Sequence, residues 1–173
     1  MEIVAYIITL VLICGLVVFI LLRMLKTIER TQNHHLRSEA SKQLTPVRLR
    51  AYERMALFIE RINPNSLLMR QNLADNVPAA ALHRELLAQI RQEWEHNAAQ
   101  QIYISDESWN MVVNAKESII ELINSSAAEI QPNTVAMGLA TLILNTYNNT
   151  KQKEETMLDK AVASIKKDIA AFC

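Results

Sequence analysis

Two patterns of apolar positions divide the chain. Residues 3–22 read IVAYIITLVLICGLVVFILL, twenty positions with no charge and no polar stripe. Beyond residue 44, apolar residues recur every three or four positions instead, punctuated by prolines. That second pattern predicts amphipathic helices packed on one another. The first predicts a membrane-spanning helix. At 1.5 Å per residue, twenty residues cover roughly 30 Å, the thickness of a bilayer's hydrocarbon core. Fifteen of them are Leu, Ile, Val or Phe. Together they favour insertion by roughly −5 to −9 kcal/mol, an upper bound because helix-centre values are used throughout. A core helix of this length would carry a polar face. A cleaved signal peptide would need a basic start, a shorter run and a small-x-small site. Only Glu2 precedes the run as a charged residue, and Val11, Leu12 and Ile13 stand before Cys14 where a lipoprotein needs small residues.

The remainder reads as helices bounded by proline and capping residues. Residues 23–44 are polar and predict a helical stalk. Thr45-Pro46 has the form of a helix start, an N-cap hydroxyl followed by proline. That helix runs over about 46–62 and stops at Asn63-Pro64, with Leu67-Leu68-Met69 as a further turn before a loop at 71–77. Pro78 opens a helix to about Gln101, and Ile102-Tyr103-Ile104 reads as a brief extended stretch. Ser105, with Asp106 and Glu107, caps the next helix, to about Ser126. Pro132-Asn133-Thr134 begins the last helical region, with a break near Asn148-Asn149. Two glycines in 173 residues argue against a turn-rich β fold and leave no phosphate-cradling GxGxxG or P-loop. The expected fold is all-α: a transmembrane helix (1–22), a basic juxtamembrane helical stalk (23–44) and a cytoplasmic helical bundle (45–173).

Helical-wheel placement selects the surfaces of interest. Val47, Ala51, Tyr52, Met55, Phe58, Ile59 and Ile62 share one arc, and Arg50, Arg54 and Arg61 form a stripe outside it, with Glu53 and Glu60 beside them. Trp109, Val112, Val113, Ile120 and Ile123 make the expected buried face of the Ser105 helix, with Lys116 in its middle. Arg48 falls similarly on the apolar arc of its own helix. Such a cation must extend to solvent, pair with a carboxylate or meet a partner. Pairing with acids of neighbouring helices is the expected use of both. Leu158, Val162, Ile165, Ile169 and Phe172 follow 4-3-4-3 spacing, a seam for a partner helix. Two heptads are too few for a coiled coil to be inferred, so packing inside the bundle is expected and a homo-oligomer is the alternative.

Charge adds topology. The formal net charge is zero, but it is unevenly spread. Residues 23–50 carry seven basic and two acidic side chains (+5), residues 51–173 carry 11 and 15 (−4), and Glu2 supplies −1. Arg23, Lys26, Arg30, Arg37 and Lys42 therefore place the C-terminal part in the cytoplasm and the N-terminus outside. The same cations would attract anionic lipid headgroups. Cys14 in the apolar run and Cys173 at the last position cannot form a disulfide framework.

Candidate chemistry is sparse. Glu93-x-x-His96 has the i,i+3 spacing of half a di-iron site, but no second Glu-x-x-His exists and His34, His35 and His83 do not supply one. Glu85, Gln89, Gln92, Glu93, His96 and Gln100 share a polar stripe, so a solvated face is expected, and no cofactor is implied. His83 reads as a hydrogen-bonded core histidine. A basic, aromatic nucleic-acid surface is not expected of the acidic 51–173 region.

The blocks TPVRLRAYERMALFIERINPNSLLMR (45–70) and EWEHNAAQQIYISDESWNMVVNAKE (93–117) resemble those of an uncharacterised family of small membrane-anchored helical proteins from Bacteroidota. The resemblance implies a bacterial inner-membrane protein with a helical cytoplasmic domain and carries over no site residue. The expected function is a non-catalytic scaffold or accessory subunit serving another inner-membrane protein or complex. Its partner-binding candidates are Arg50, Arg54, Arg61, Lys116, Leu158, Val162, Ile165 and Ile169. A membrane-tethered enzyme or metal-dependent redox protein, and a self-assembling stalk, are the alternatives.

Overall fold

The computed structural model describes residues 15–21, 23, 24, 26, 44–71, 73, 74 and 77–172. Two units are distinguished, Met1–Pro46 and Val47–Cys173. The expected membrane helix is described only at 15–21 and the expected stalk only at 23, 24, 26 and 44; His34, His35 and both cysteines lie outside the described residues. Among the described residues, no helix is long and apolar enough to cross a membrane. Within the first unit, residues 15–21, 23, 24, 26 and 44–46 are helical.

The second unit is all-helical, with no strand among its described residues. Its helix α1 (47–62) buries Ala51, Tyr52, Met55, Phe58, Ile59 and Ile62 on one arc, while Val47 at its start is 39% exposed. Thr45 is not a cap, because Leu44 and Thr45 are themselves helical. Pro46 lies within that helical stretch. At the other end, Pro64 forces Asn63 into extended geometry (φ −55, ψ 131), which ends α1. The same Asn63 accepts from Asn65 N–H at 3.0 Å and caps α2 (Pro64–Met69), burying Leu67 and Leu68.

Helices α3 (Ala79–Asn97) and α5 (Ala136–Lys153) lack side-chain caps, and they solve the problem together. Ala79 N–H donates to Thr134 C=O at 2.9 Å and Ala136 N–H to Val77 C=O at 2.8 Å, pairing Pro78 with Val135 antiparallel. Each helix start thus satisfies orphan donors with the other's entry segment. Gly138 leaves room beside this junction: a Cβ there would come within 2.6 Å of the Thr134 methyl, so one of the two would have to shift.

The 102–104 stretch is not extended as expected. Ala98–Tyr103 form a 3-10 turn continuing from α3, and only Ile104 is extended. Helix α4 (Asp106–Glu129) then starts at Ser105, whose hydroxyl accepts from Ser108 N–H at 3.1 Å. The break expected near Asn148-Asn149 falls later, because α5 continues to Lys153. Thr156 starts α6 (Met157–Phe172) with a reciprocal cap: Asp159 N–H donates to its hydroxyl at 3.2 Å, and Thr156 N–H to the Asp159 carboxylate at 3.3 Å.

The core lies among α1, α2, α3, α4, α5 and α6, with α4 packing most extensively on α6. The buried stripe of α4 is Ser108, Val112, Ala115, Ile119, Ile123 and Ser126. It is rotated from the expected arc, leaving Trp109, Val113 and Ile120 at its margin. Ser108 meets Ser164 of α6 at 2.8 Å between hydroxyls.

Candidate functional site

The Arg stripe and the Glu93/His96 pair, read separately in the sequence, form two walls of one groove. Arg54, Leu57, Phe58 and Arg61 of α1 face Gln92, Glu93, His96 and Asn97 of α3 across about 430 Å³. Helical spacing explains the first wall: positions 50, 54, 57 and 61 lie on one side of α1, opposite its buried arc. Phe58 belongs to that arc and floors the groove; Leu57 is 58% exposed.

Glu93 is held by cations. Its carboxylate takes Arg61 at 2.9 and 3.2 Å and has Arg70 at 3.8 Å. Arg70 also donates to Arg61 C=O at 2.6 Å and to Ser66 C=O at 3.0 Å, fastening α2 to the end of α1. These pairs are half-exposed at Arg61, so each contributes about 0–1 kcal/mol and chiefly orients the groove wall. His96 Nδ1 lies 2.8 Å from Gln92 C=O on its own helix. Among the described residues, no group of three or more His, Cys, Asp or Glu is placed to hold a metal ion. By contrast, Arg50 and Arg54 are exposed and make no ion pair or hydrogen bond among the described residues.

Behind the groove runs an aromatic row. Phe58 meets Trp94 at 5.5 Å between centroids, and Trp94 meets Trp109 at 4.8 Å. Lys116 closes it, with Nζ 4.5 Å from the Trp94 ring centre and 2.8 Å from Glu117. The expected acid on a neighbouring helix is therefore replaced by an indole face and by the next residue of α4. Geometry explains this: rotation of α4 moves Lys116 off the core centre to its edge, where 15% of its side chain stays exposed. Arg48 donates through Nε to Tyr103 C=O at 3.3 Å, a carbonyl left free by the 3-10 turn.

Of the seam on α6, Leu158 and Ile165 are buried in the bundle, and Val162 and Ile169 pack half-buried against the same core. The Phe172 side chain lies outside the described residues. His83 is hydrogen-bonded, its Nε2 2.8 Å from Asn124 Oδ1, but it stands at the rim of a second groove rather than in the core.

Sequence reasoning missed a polar lock. Tyr52 donates to Asp168 at 2.8 Å and accepts from Ser105 N–H at 3.2 Å, while the Ser105 hydroxyl also donates to Asp168. Burial opposes the charge on Asp168, but hydrogen bonds from Ser105, Ser108 and Tyr52 and the nearby Lys167 outweigh it and hold its carboxyl below the ordinary value. Burial pushes the Tyr52 hydroxyl up, and Asp168 reinforces the shift against the Ser105 N–H. Asp168 also sits near the positive end of α4. The available signal was Asp168 three residues after Ile165, on the inner face of α6.

The profile of a family of unknown function, DUF7935, matches residues 1–172. The chain belongs to that family. No curated protein and no solved structure matches it. DUF7935 thereby supplies a family for the groove and the lock, and leaves their use to be argued from their chemistry.

Proposed function

We propose that the chain is a non-catalytic scaffold or accessory subunit, anchored by residues 3–22 in a bacterial inner membrane and presenting the 47–173 bundle to the cytoplasm. One observation carries the anchor. Leu16, Val17, Val18, Phe19, Ile20 and Leu21 are helical, consecutive and each between 47% and 62% exposed, so the helix shows apolar side chains on every side. Water would penalise such a surface, whereas lipid favours it. The basic residues between 23 and 42 support the inward orientation, and the resemblance of the 45–70 and 93–117 blocks supports the bacterial setting.

The groove supports the scaffold role. It joins exposed arginines to an exposed leucine on rigid, packed helices, the composition of a contact surface. Tethering would raise the bundle's effective concentration around a membrane complex without any new contact. Affinity purification of the full chain from membranes in mild detergent tests the reading. A protein co-purifying in fixed stoichiometry, and lost with Arg54→Glu, is expected. Recovery of the chain alone, equally in both forms, contradicts it.

A further inference from the structure

Resting on the scaffold reading, we infer that the α1/α3 groove takes an acidic amphipathic helix of a partner protein, its carboxylates on Arg50, Arg54 and Arg61 and an apolar side chain on Leu57 and Phe58. Charge complementarity is the argument. Among the described residues, Glu93 is the one carboxylate lining the groove, and it is already neutralised by Arg61 and Arg70, which leaves one excess cation in that trio. Arg54 adds a second, and Arg50 stands one turn earlier on the same face with no ion pair among the described residues, while the exposed Glu53 and Glu60 of α1 stand beside the strip and outside the groove's lining. This positive strip lies on a region whose own charge is −4, from 11 basic and 15 acidic residues over 51–173. Acidic segments approaching the bundle are repelled elsewhere and drawn to it.

The apolar element selects a helix over a diffuse anion. Leu57 stands between Arg54 and Arg61, three and four residues away, so cation, apolar and cation contacts repeat at helical spacing. A facing helix with Glu or Asp at i and i+7 and Leu or Met between them matches that spacing. The groove volume of about 430 Å³ admits one or two large side chains beside the Phe58 floor. Free phosphate or a lipid headgroup would use the arginines and leave Leu57 uncovered.

The test places a photo-crosslinking amino acid at Leu57 of the full chain in its own cells and maps the captured segment by mass spectrometry. The expected segment is helical and net acidic, with carboxylates within two turns on either side of the captured residue. Crosslink yield should fall at least tenfold with Arg50→Glu plus Arg54→Glu, and return when those carboxylates are changed to Lys. Capture of a neutral or basic segment, or a yield indifferent to charge reversal, overturns the inference while the scaffold reading stands. Capture of lipid or nucleic acid alone overturns the inference as well. No capture, together with no co-purifying protein, overturns both.

Discussion

At the scale of single residues, the polar lock makes a pH signature. The folded-state pKa of Asp168 lies below its unfolded value, so its contribution is complete above the ordinary carboxylate pKa. It is lost as pH falls from about 4 toward the depressed folded value. Thermal unfolding of the full chain in detergent should therefore show a steeper acid loss than Asp168→Asn shows. Trp94 and Trp109 are the chain's two tryptophans, so their fluorescence reports this unit alone. Tyr52→Phe should cost about 1–2 kcal/mol, because Ser105 N–H and Asp168 each lose a buried partner. Lys116→Met should fold and lose about 1 kcal/mol, the value of a partly desolvated cation over an indole. An unchanged midpoint would show the ammonium to be energetically idle. Little of this was legible beforehand. Periodicity marked Lys116 and Arg48 as cations on apolar arcs, but not that an indole and a turn carbonyl would receive them; those partners depend on how α4 rotates and on how α3 ends.

At the scale of helices, small residues decide what large ones cannot. The α1 arc was readable because its buried residues are bulky and regularly spaced. On α4 the same periodicity points to a rotated face, since Ser108 and Ala115 carry little hydrophobic weight yet lie fully buried on the stripe. Ala115→Leu should consequently cost about 1–3 kcal/mol by overpacking, despite leucine's good helix propensity. Helix α3 starts at Pro78 as the sequence suggests, whereas α5 starts at Val135, just after the expected Pro132-Asn133-Thr134. Neither Pro78 nor Val135 advertises that the two entry segments bond to one another. Gly138 reports that junction. In the native chain, Gly138→Ala should give no stabilisation, because its methyl meets Thr134 Cγ2. With Thr134→Ser, which removes that methyl, the same change should stabilise by up to about 1 kcal/mol through helix propensity. A double-mutant cycle on unfolding midpoints measures the difference, and additivity would contradict the steric account.

The whole molecule carries a basic-flanked apolar segment in its sequence and a bundle whose outer groove is basic on an acidic body. The helical class of the bundle followed from prolines, caps and 3–4 periodicity. The Arg stripe was visible as a stripe, and Glu93 and His96 as a pair on a polar face. Their meeting across one groove was not visible, because the packing of α1 on α3 is set by Phe58 and Trp94, which carry no mark of their partner in the sequence. Alkaline carbonate extraction of membranes from cells making the full chain tests the central claim most directly. The protein is expected to stay in the membrane pellet, and to leave it when Val11 and Val18 are both changed to Arg. Release of the unaltered chain into the supernatant would contradict the anchor, and with it the tethered scaffold.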